Sequence, residues 1–142
     1  MRRRLFTAFV IKAAVRDPRA ETFTFAQQKT MYGGKQIAKG DKVFVFASEN
    51  EGGPGLIARG VVTSAQAIAK KHGVARQTPR VSVEIRRTDL AKRALGRKEL
   101  KGFRDWNDGR PESELNFKFY RQATNKIGGI SEGVAAFLDG FF

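Results

Sequence analysis

The sequence of 142 residues has no cysteine and only one histidine. The lack of cysteine excludes a disulfide scaffold, a thiolate zinc site and a cysteine nucleophile. It also fits a reducing compartment, so we expect a cytoplasmic protein. His72 lies in the basic stretch Lys70-Lys71-His72-Gly73, which offers it no metal-ligating or catalytic partner. We therefore predict no metal site, no cofactor and no enzyme activity.

Long apolar runs are also missing. The apolar stretch after Arg2, Arg3 and Arg4 ends at Lys12, and no small-residue cleavage site follows it, so the pattern is not that of a signal peptide. No segment approaches the roughly 18 apolar residues that a membrane span requires. We expect a soluble protein without a membrane partner. The length and the hydrophobic content of 41% fit a single domain over residues 1–142.

Positive charge is what the sequence has in excess. Lys and Arg total 27 against 14 Asp and Glu, which gives a formal net charge of +13. Residues 70–104 hold twelve basic and three acidic residues and so carry +9 of that charge. Because such an excess repels itself in a compact chain, it favours a polyanionic partner. A nucleic acid is that kind of partner, and the alternative is a merely solvated basic surface.

The clearest local pattern is a hairpin. Residues 40–48 run from a Gly-Asp turn into a continuous apolar stretch, which is typical of a strand buried on both faces. The glycine-rich tip 49–55 connects it to a returning strand at 56–63. Gly60 within the returning strand predicts a bulge or a close approach of another backbone.

The other segments complete a mixed sheet. In chain order we predict a strand at 5–15 and a short helix or irregular segment at 21–32. A strand at 80–87, with Val81, Val83 and Ile85 inward, is followed by a helix at 88–96 and an irregular stretch at 97–114. A strand at 115–120 comes next, and a closing helix follows Ser131 with Val134, Phe137, Leu138 and Phe141 on one face. The fold class is therefore α+β, with five or six strands curled into a barrel and short flanking helices.

Recognition of a base requires an aromatic plane and polar groups that reach the base edge. Trp106 is the single tryptophan, and it follows the basic segment directly. It is either a stacking residue or a core residue. The adjacent Asp105 and Asn107 either hydrogen-bond a base or form a turn before Gly109.

Several of these segments together resemble the PUA-like superfamily, and within it the EVE domain. They are the Gly40-Asp41 turn, the strand that ends in Phe46-Ala47-Ser48, the return strand Ile57-Ala58-Arg59-Gly60-Val61-Val62 and the closing stretch 119–127 with its terminal helix. The opening Phe9-Val10-Ile11-Lys12 is similar to the first strand of YTH domains, which share this fold and read N6-methyladenine in RNA. The resemblance implies a pseudo-barrel with a concave pocket that holds a flipped, modified base beside a basic surface.

The resemblance also implies which residues make these contacts. The base pocket is predicted from Phe9, Lys12, Ala13, Ala47, Ser48 and Trp106, with Asn107 as a neighbouring polar group. The phosphate contacts are predicted from Lys70, Lys71, Arg86, Arg87, Arg93 and Arg104 in the basic segment, with Arg121 and Lys126 added by the resemblance. The first strand departs from the EVE pattern, because EVE domains usually carry a tryptophan there and this chain has Phe6 and Phe9.

Two other functions stay open at this stage. The related ASCH family has a Gly-x-Lys-x-x-Glu motif, of which this chain keeps Gly33 and Lys35 but has Ala38 in place of the acid. An ASCH-like RNA-processing enzyme would need a lysine or tyrosine with a shifted pKa, and Lys12, Lys35 and Tyr32 are the candidates. The other alternative is a basic domain that binds a protein.

The choice between DNA and RNA also stays open. We expect a monomer or a weak homodimer, because Phe141-Phe142 at the end of the sequence either cap the core or contact another copy of the chain.

Overall fold

The computed structural model describes residues 6–120 and 125–142. Its strands are β1 Ala8–Ala13, β2 Thr22–Met31, β3 Lys42–Ala47, β4 Gly55–Ala67, β5 Arg80–Leu90 and β6 Lys126–Ile130. They close into a barrel in the spatial order β1-β3-β4-β5-β2-β6. β1 is parallel to β3 and β2 is parallel to β6, while the other neighbours are antiparallel. The predicted mixed α+β barrel is confirmed.

Short helical elements pack on the outside of the barrel. They are α1 Arg97–Leu100, α2 Pro111–Leu115, a π-helical turn Asn116–Tyr120 and α3 Glu132–Asp139, with 3-10 turns at Gly34–Gln36 and Glu49–Glu51. In residues 6–120 and 125–142, no helix is long and apolar enough to cross a membrane.

β1 and β3 are buried on both faces, which explains their continuous apolar sequences. Alternate side chains such as Phe9 and Ile11 fill the barrel interior, whereas Val10 and Phe44 belong to a second cluster between the barrel and the helices. All four are 0% exposed. Because side chains alternate along a strand, one continuous apolar stretch supplies both clusters.

The predicted hairpin and the predicted alternating strand are confirmed. β3 pairs antiparallel with β4, and the turn Glu49–Glu51 lies between them. Gly60 lies at a register shift between β4 and β5, where a side chain would collide with the backbone oxygen of Arg86. Both expectations for this glycine, a bulge and a close approach, therefore hold. On β5, the three inward residues are buried, namely Val81, Val83 and Ile85.

The prediction of a helix or irregular segment at 21–32 is wrong, because these residues form β2. Phe23 and Phe25 alternate with exposed threonines and point into the barrel. A register shift between Phe25 and Gln28 then interrupts the alternation, and Gln27 adopts a left-handed φ of 50°. This bulge removes the period of two that would have indicated a strand.

The predicted helix at 88–96 is also wrong. β5 continues to Leu90 because Asp89 pairs with Arg59 of β4, whose Nε donates to the carboxylate at 2.9 Å. Asp89 could have capped a helix at this point, but its carboxylate is engaged by Arg59. Residues 97–114, predicted as irregular, contain α1 and α2, and residues 115–120, predicted as a strand, are helical.

The predicted closing helix is confirmed as α3. The Ser131 hydroxyl accepts a hydrogen bond from the Val134 amide at 3.3 Å, as an N-terminal cap does. Val134, Leu138 and Phe141 are buried in the cluster between barrel and helices. The terminal Phe142 packs its ring 6.0 Å from that of Phe44. The two terminal aromatic residues thus pack on the core of their own chain.

Candidate nucleic-acid interface

Four cationic residues occupy register-paired positions on four neighbouring strands. Lys12 of β1 pairs with Lys126 of β6, Lys126 pairs with Lys29 of β2, and Lys29 pairs with Arg80 of β5. We call these four residues the cationic row. Paired positions share one face of a sheet, and directly paired like charges cost about 0.2–1 kcal/mol. These cations are therefore concentrated near one end of the barrel, and Glu49 lies close enough to Lys12 to offset part of its charge.

Two lysines of the row are buried. Lys12 is 3% exposed, its Nζ donates to the backbone oxygen of Phe119 at 2.9 Å, and it lies 4.9 Å from the centre of the Tyr120 ring. Burial lowers the pKa of Lys12, and the nearby Arg97 lowers it further. Lys126 is 4% exposed, and burial together with Lys12 and Lys29 lowers its pKa to about 8. Both amines lack the full solvation that would stabilise their charge.

A buried hydroxyl lies at the end of β3, the strand that pairs with β1. Ser48 follows β3, and its amide donates to the backbone oxygen of Ala13 at 2.8 Å. Its side chain is 1% exposed, and its Oγ has no hydrogen-bond partner within residues 6–120 and 125–142. An unsatisfied buried hydroxyl costs about 1–3 kcal/mol, and such groups are frequent where a ligand completes the hydrogen bonding. We call Lys12, Ser48, Tyr120 and Lys126 the barrel-end cluster.

Tyr120 closes this cluster from the π-helical turn. Its ring packs edge-on against Phe46 of β3, with the ring centres 6.0 Å apart. Burial raises the pKa of Tyr120, and the nearby Glu49 and Glu99 raise it further. The phenol therefore stays neutral at physiological pH and offers an aromatic face and a hydroxyl donor.

A basic groove of about 520 Å³ lies where the β4–β5 connection meets β2. Its lining includes no acidic residue and five cationic residues: Lys29, Lys70, Lys71, Arg76 and Arg80. We call this cavity the basic groove and these five residues its cations. Lys29 and Arg80 belong to both the groove and the cationic row, so positive charge continues from the barrel-end cluster into the groove.

Hydrogen bonds to one glutamine hold the loop that forms this groove. The Gln77 side chain accepts from the Lys71 amide and donates to the Lys71 carbonyl, both at 2.9 Å, and it also donates to the Val74 carbonyl at 3.2 Å. The Arg80 guanidinium donates to the carbonyl of Gln27 at 3.0 Å. The ammonium groups of Lys70 and Lys71 are thus presented from a loop with internal hydrogen bonds, which lowers the entropy lost on binding.

The predicted pocket residues fall in three different places. Lys12 and Ser48 lie together in the barrel-end cluster. Phe9, Ala13 and Ala47 belong to the apolar cluster that fills the barrel interior, so they pack the core. Lys12 and Ala13 are neighbours in the sequence, as are Ala47 and Ser48. Because neighbouring residues of a strand point to opposite faces, Lys12 and Ser48 are separated from Ala13 and Ala47.

Trp106 and Asn107 lie in the loop before α2. The indole Nε1 donates to Asn116 Oδ1 at 3.0 Å, and the ring packs 5.1 Å from that of Phe117. Trp106 is 40% exposed. The amide of Asn107 donates to the Asp105 carboxylate at 3.2 Å, so Asn107 is a turn residue. Trp106 and Asn107 thus lie outside the barrel interior. These hydrogen bonds and this ring contact join them to residues other than Lys12 and Lys126.

The predicted phosphate contacts are also divided. Lys70 and Lys71 lie in the basic groove, and Lys126 lies in the cationic row. Arg87 Nε donates to the Ala20 carbonyl at 2.9 Å, and Arg93 donates to the Gly140 carbonyl at 2.8 Å, so both make intramolecular contacts.

The other predicted contacts are Arg86, Arg104 and Arg121. Arg86 and Arg104 are exposed, and Arg104 Nε donates to the Lys101 carbonyl at 3.3 Å. Arg121 lies outside the described residues. The structure adds Lys29, Arg76 and Arg80, which sequence reasoning did not select. Lys29 becomes visible only once residues 22–31 are recognised as a strand.

In the described ranges, no group of three or more His, Asp or Glu side chains is placed to hold a metal ion. Glu49 and Glu99 lie near Tyr120, so single acidic side chains do accompany the barrel-end cluster.

The closed mixed barrel with short helices on its outside is the fold that the resemblance to the EVE domain implied. The sequence matches no protein-family model, and no curated protein matches it. Solved structures share the fold. The DUF55 domain of human thymocyte nuclear protein 1 is 16% identical, with a TM-score of 0.61 over 92% of this chain and 95% of that one.

Two further structures extend this likeness. A hypothetical protein from Leishmania major is 15% identical, with a TM-score of 0.60 over 95% of this chain and 93% of that one. Human THYN1 protein, solved in complex with 5-methylcytosine containing DNA, is 14% identical, with a TM-score of 0.50 over 92% of this chain and 94% of that one. At these identities the likeness establishes a common fold.

Proposed function

We propose that this protein is a nucleic-acid-binding domain that reads a modified or flipped base at the barrel-end cluster and holds the phosphate backbone in the basic groove. The observation that carries the proposal is the cationic row. Cations on four adjacent strands concentrate positive charge at one end of the barrel, and a polyanion is the kind of partner that such a concentration favours. Because Lys29 and Arg80 continue the row into the groove, one strand of nucleic acid has a continuous path from backbone site to base site.

The likeness to human THYN1 protein supports this choice of ligand, because that protein has been solved with 5-methylcytosine containing DNA. In the present chain, the Ser48 hydroxyl and the buried amines of Lys12 and Lys126 supply hydrogen-bond donors for a base edge. Tyr120 supplies the aromatic face. A flipped base loses stacking in the duplex, and contacts of this kind recover that loss.

The direct test is binding of two matched fluorescent duplexes, one with 5-methylcytosine and one with cytosine, measured by anisotropy at low salt. We expect both duplexes to bind, and the modified duplex to bind more tightly. Binding of both with equal affinity would limit the function to backbone recognition. Failure of DNA and RNA alike to bind at low salt would contradict the proposal and leave the protein-interaction domain standing.

Replacing Ser48 by alanine separates recognition from stability. We expect Ser48→Ala to lower the preference for the modified duplex about fivefold, because roughly 1 kcal/mol of ligand hydrogen bonding is lost. We also expect an unchanged or slightly higher free energy of unfolding, since the hydroxyl has no hydrogen-bond partner among residues 6–120 and 125–142. Anisotropy and urea unfolding measure the two effects.

Ser113 provides the matched control, because it is equally buried but its hydroxyl donates to Asp108 at 2.9 Å. Ser113→Ala should lower the free energy of unfolding by about 1–2 kcal/mol and leave the preference for the modified duplex intact. The same loss of stability in both variants would mean that Ser48 has a structural partner and no role in recognition.

The lowered pKa of Lys126 predicts a pH dependence of binding. Lys12 and Lys29 lie near this amine, and its pKa is about 8 against an ordinary value of 10.5. An anionic ligand favours the protonated amine, so binding takes up a proton, and affinity falls as the pH rises above 8. If the bound amine recovers its ordinary pKa, affinity falls about tenfold between pH 7 and pH 9.

The control for this pH dependence is Lys126→Gln, which keeps a hydrogen-bond donor but does not titrate. In that variant, the ratio of the dissociation constants at the two pH values should drop to about twofold or less. A tenfold ratio that survives the substitution would assign the titration to another group.

One observation favours a second candidate function, an RNA-cleaving enzyme of ASCH type. A lysine with a lowered pKa can act as a base near neutral pH, and Lys12 and Lys126 both have one. Tyr32 is unsuited to that role, because burial raises its pKa. Prolonged incubation with end-labelled RNA distinguishes the two functions. Cleavage that is lost in Lys126→Gln would support the enzyme, and intact RNA would exclude it.

A further inference from the structure

Three aromatic rings pack against one another at the surface, in a set of residues that does not include those of the barrel-end cluster. The ring of Phe117 lies between those of Trp106 and Tyr32, with ring centres 5.1 Å and 5.7 Å apart and interplanar angles of 53° and 54°. Among the described residues, three large hydrophobic side chains are exposed, and two of them are Trp106 at 40% and Phe117 at 38%. We call these three rings the aromatic ladder.

Polar contacts fix the outer ring of the ladder in place. Trp106 is bonded through its Nε1 to Asn116, which is 5% exposed and donates in turn to the Leu100 carbonyl at 2.8 Å. The carboxylates of the loop are used internally. Asp105 accepts from the Asn107 amide, and Asp108 accepts from the Arg110 amide and the Ser113 hydroxyl. The partly exposed ring of Trp106 is thus held in one position, and the carboxylates of Asp105 and Asp108 already accept hydrogen bonds from neighbouring residues.

The ladder is continuous with the basic groove. A cavity of about 200 Å³ is lined by Tyr32, Lys35 and Pro79, and Pro79 also lines the basic groove. Lys118 holds its Nζ 5.2 Å from the centre of the Tyr32 ring. A chain of phosphates that leaves the groove past Pro79 therefore reaches Lys35 before the ladder, whereas the charge of Lys118 is paired with Glu114 at 3.1 Å.

The size of the exposed aromatic surface decides whether the ladder binds a second copy of the protein or unpaired bases. Rings of this kind carry about 150–250 Å² each, so the exposed parts of Trp106 and Phe117 together offer less than about 200 Å². A stable contact between two protein copies needs about 800 Å² from each partner. One or two unpaired bases need only a ring face each, and a neighbouring cationic path supplies the attraction for their phosphates.

We propose that Trp106 and Phe117 form a second base site, which stacks unpaired bases of a single-stranded DNA or RNA segment whose phosphates follow the basic groove and Lys35. This inference rests on the proposed nucleic-acid binding, but it requires a separate surface. Paired bases cannot reach the ladder, because their faces are stacked within the duplex. The ladder should therefore strengthen binding of single strands and leave duplex binding unchanged.

Trp106 reports on this site directly, because it is the only tryptophan. The probe is an unlabelled oligothymidylate of about twelve nucleotides, a length within the range that single-strand sites cover. We expect it to quench the intrinsic fluorescence of Trp106, and a fluorescently labelled copy of the same oligonucleotide to bind over the same concentration range in anisotropy. Phe117→Ala should weaken binding of the oligothymidylate about tenfold, and Phe117→Tyr should keep it, since that variant retains the ring. Neither variant should change the affinity for a duplex.

The outcomes separate this inference from the proposed function. If oligothymidylate and duplex both bind but the fluorescence stays constant and Phe117→Ala has no effect, the ladder is not a base site and the proposed function stands. Equal weakening of single-strand and duplex binding by Phe117→Ala would also overturn the inference. If neither nucleic acid binds at low salt, the ladder proposal and the proposed function fail together.

Discussion

Replacing Lys70, Lys71 and Arg76 together by alanine should weaken binding of nucleic acid by about 10²–10³-fold at a salt concentration of roughly 0.1 M. Each lysine or arginine that neutralises a phosphate releases close to one counterion, which at this salt is worth about a factor of ten in affinity. These three side chains are exposed and lie in one groove with Lys29 and Arg80. Their loss removes more than half of the cations of the basic groove.

The measurement is anisotropy of a labelled duplex with wild type, with this triple variant and with a second triple variant of equal charge change. The second variant carries Lys92→Ala, Lys98→Ala and Lys101→Ala, all exposed positions outside the groove. We expect it to weaken binding by less than about threefold, through the reduced net charge alone. Equal losses in the two triple variants would show that only the overall charge matters and would remove the groove from the interface.

Phe119→Ala should lower the free energy of unfolding by about 3–5 kcal/mol. Phe119 is 1% exposed and lies in the cluster between the barrel and the helices. Its ring packs directly over Gly128 of β6, where a side chain at Gly128 would come within 2.9 Å of it. Truncation leaves a cavity that the surrounding strands and helices fill only in part, and this is the origin of the large cost.

Phe117 gives a control with the same residue type in the same π-helical turn. Because Phe117 is 38% exposed, Phe117→Ala should cost less than about 1.5 kcal/mol. Urea unfolding followed by circular dichroism measures both variants. Since the Phe119 carbonyl accepts the hydrogen bond of Lys12, the buried variant should also disturb the barrel-end cluster. A cost below about 1 kcal/mol for Phe119→Ala would mean that this turn does not pack as the structure has it.

Sequence reasoning succeeds where one local pattern determines the element. The alternation of Val81, Val83 and Ile85 predicts β5, and the apolar stretch before Ser48 predicts β3. The Ser131 cap predicts α3. In each case the residues that carry the pattern are also those that the fold buries, so local and tertiary preferences agree.

It fails where tertiary contacts override the local pattern. Thr88-Asp89 has the sequence of a helix cap, but Asp89 is held on β5 by Arg59 of the neighbouring strand. β6 contains Gly128 and Gly129, which weaken a strand pattern. Those glycines are required because Phe119 and Phe6 pack directly on the strand backbone. That requirement depends on packing partners far away in the sequence.

The candidate nucleic-acid interface was likewise predicted only in part from the sequence. The resemblance to EVE domains selected Lys12, Ser48 and Lys126, which lie around the barrel-end cluster. It did not select Lys29, whose importance comes only from the register of β2 with β5 and β6. Motif positions do not reveal which face of a strand a side chain occupies, and Phe9 therefore turned out to be a core residue.

The central claim is that the basic groove binds a phosphate backbone, and the salt dependence of the wild-type dissociation constant tests it most directly. With five groove cations engaged, a plot of log Kd against log salt for duplex DNA should have a slope of about 4 to 5, or roughly a 500-fold loss of affinity between about 50 and 200 mM salt. A dissociation constant that stays constant over this range, or an absence of binding at 50 mM salt, would contradict the claim.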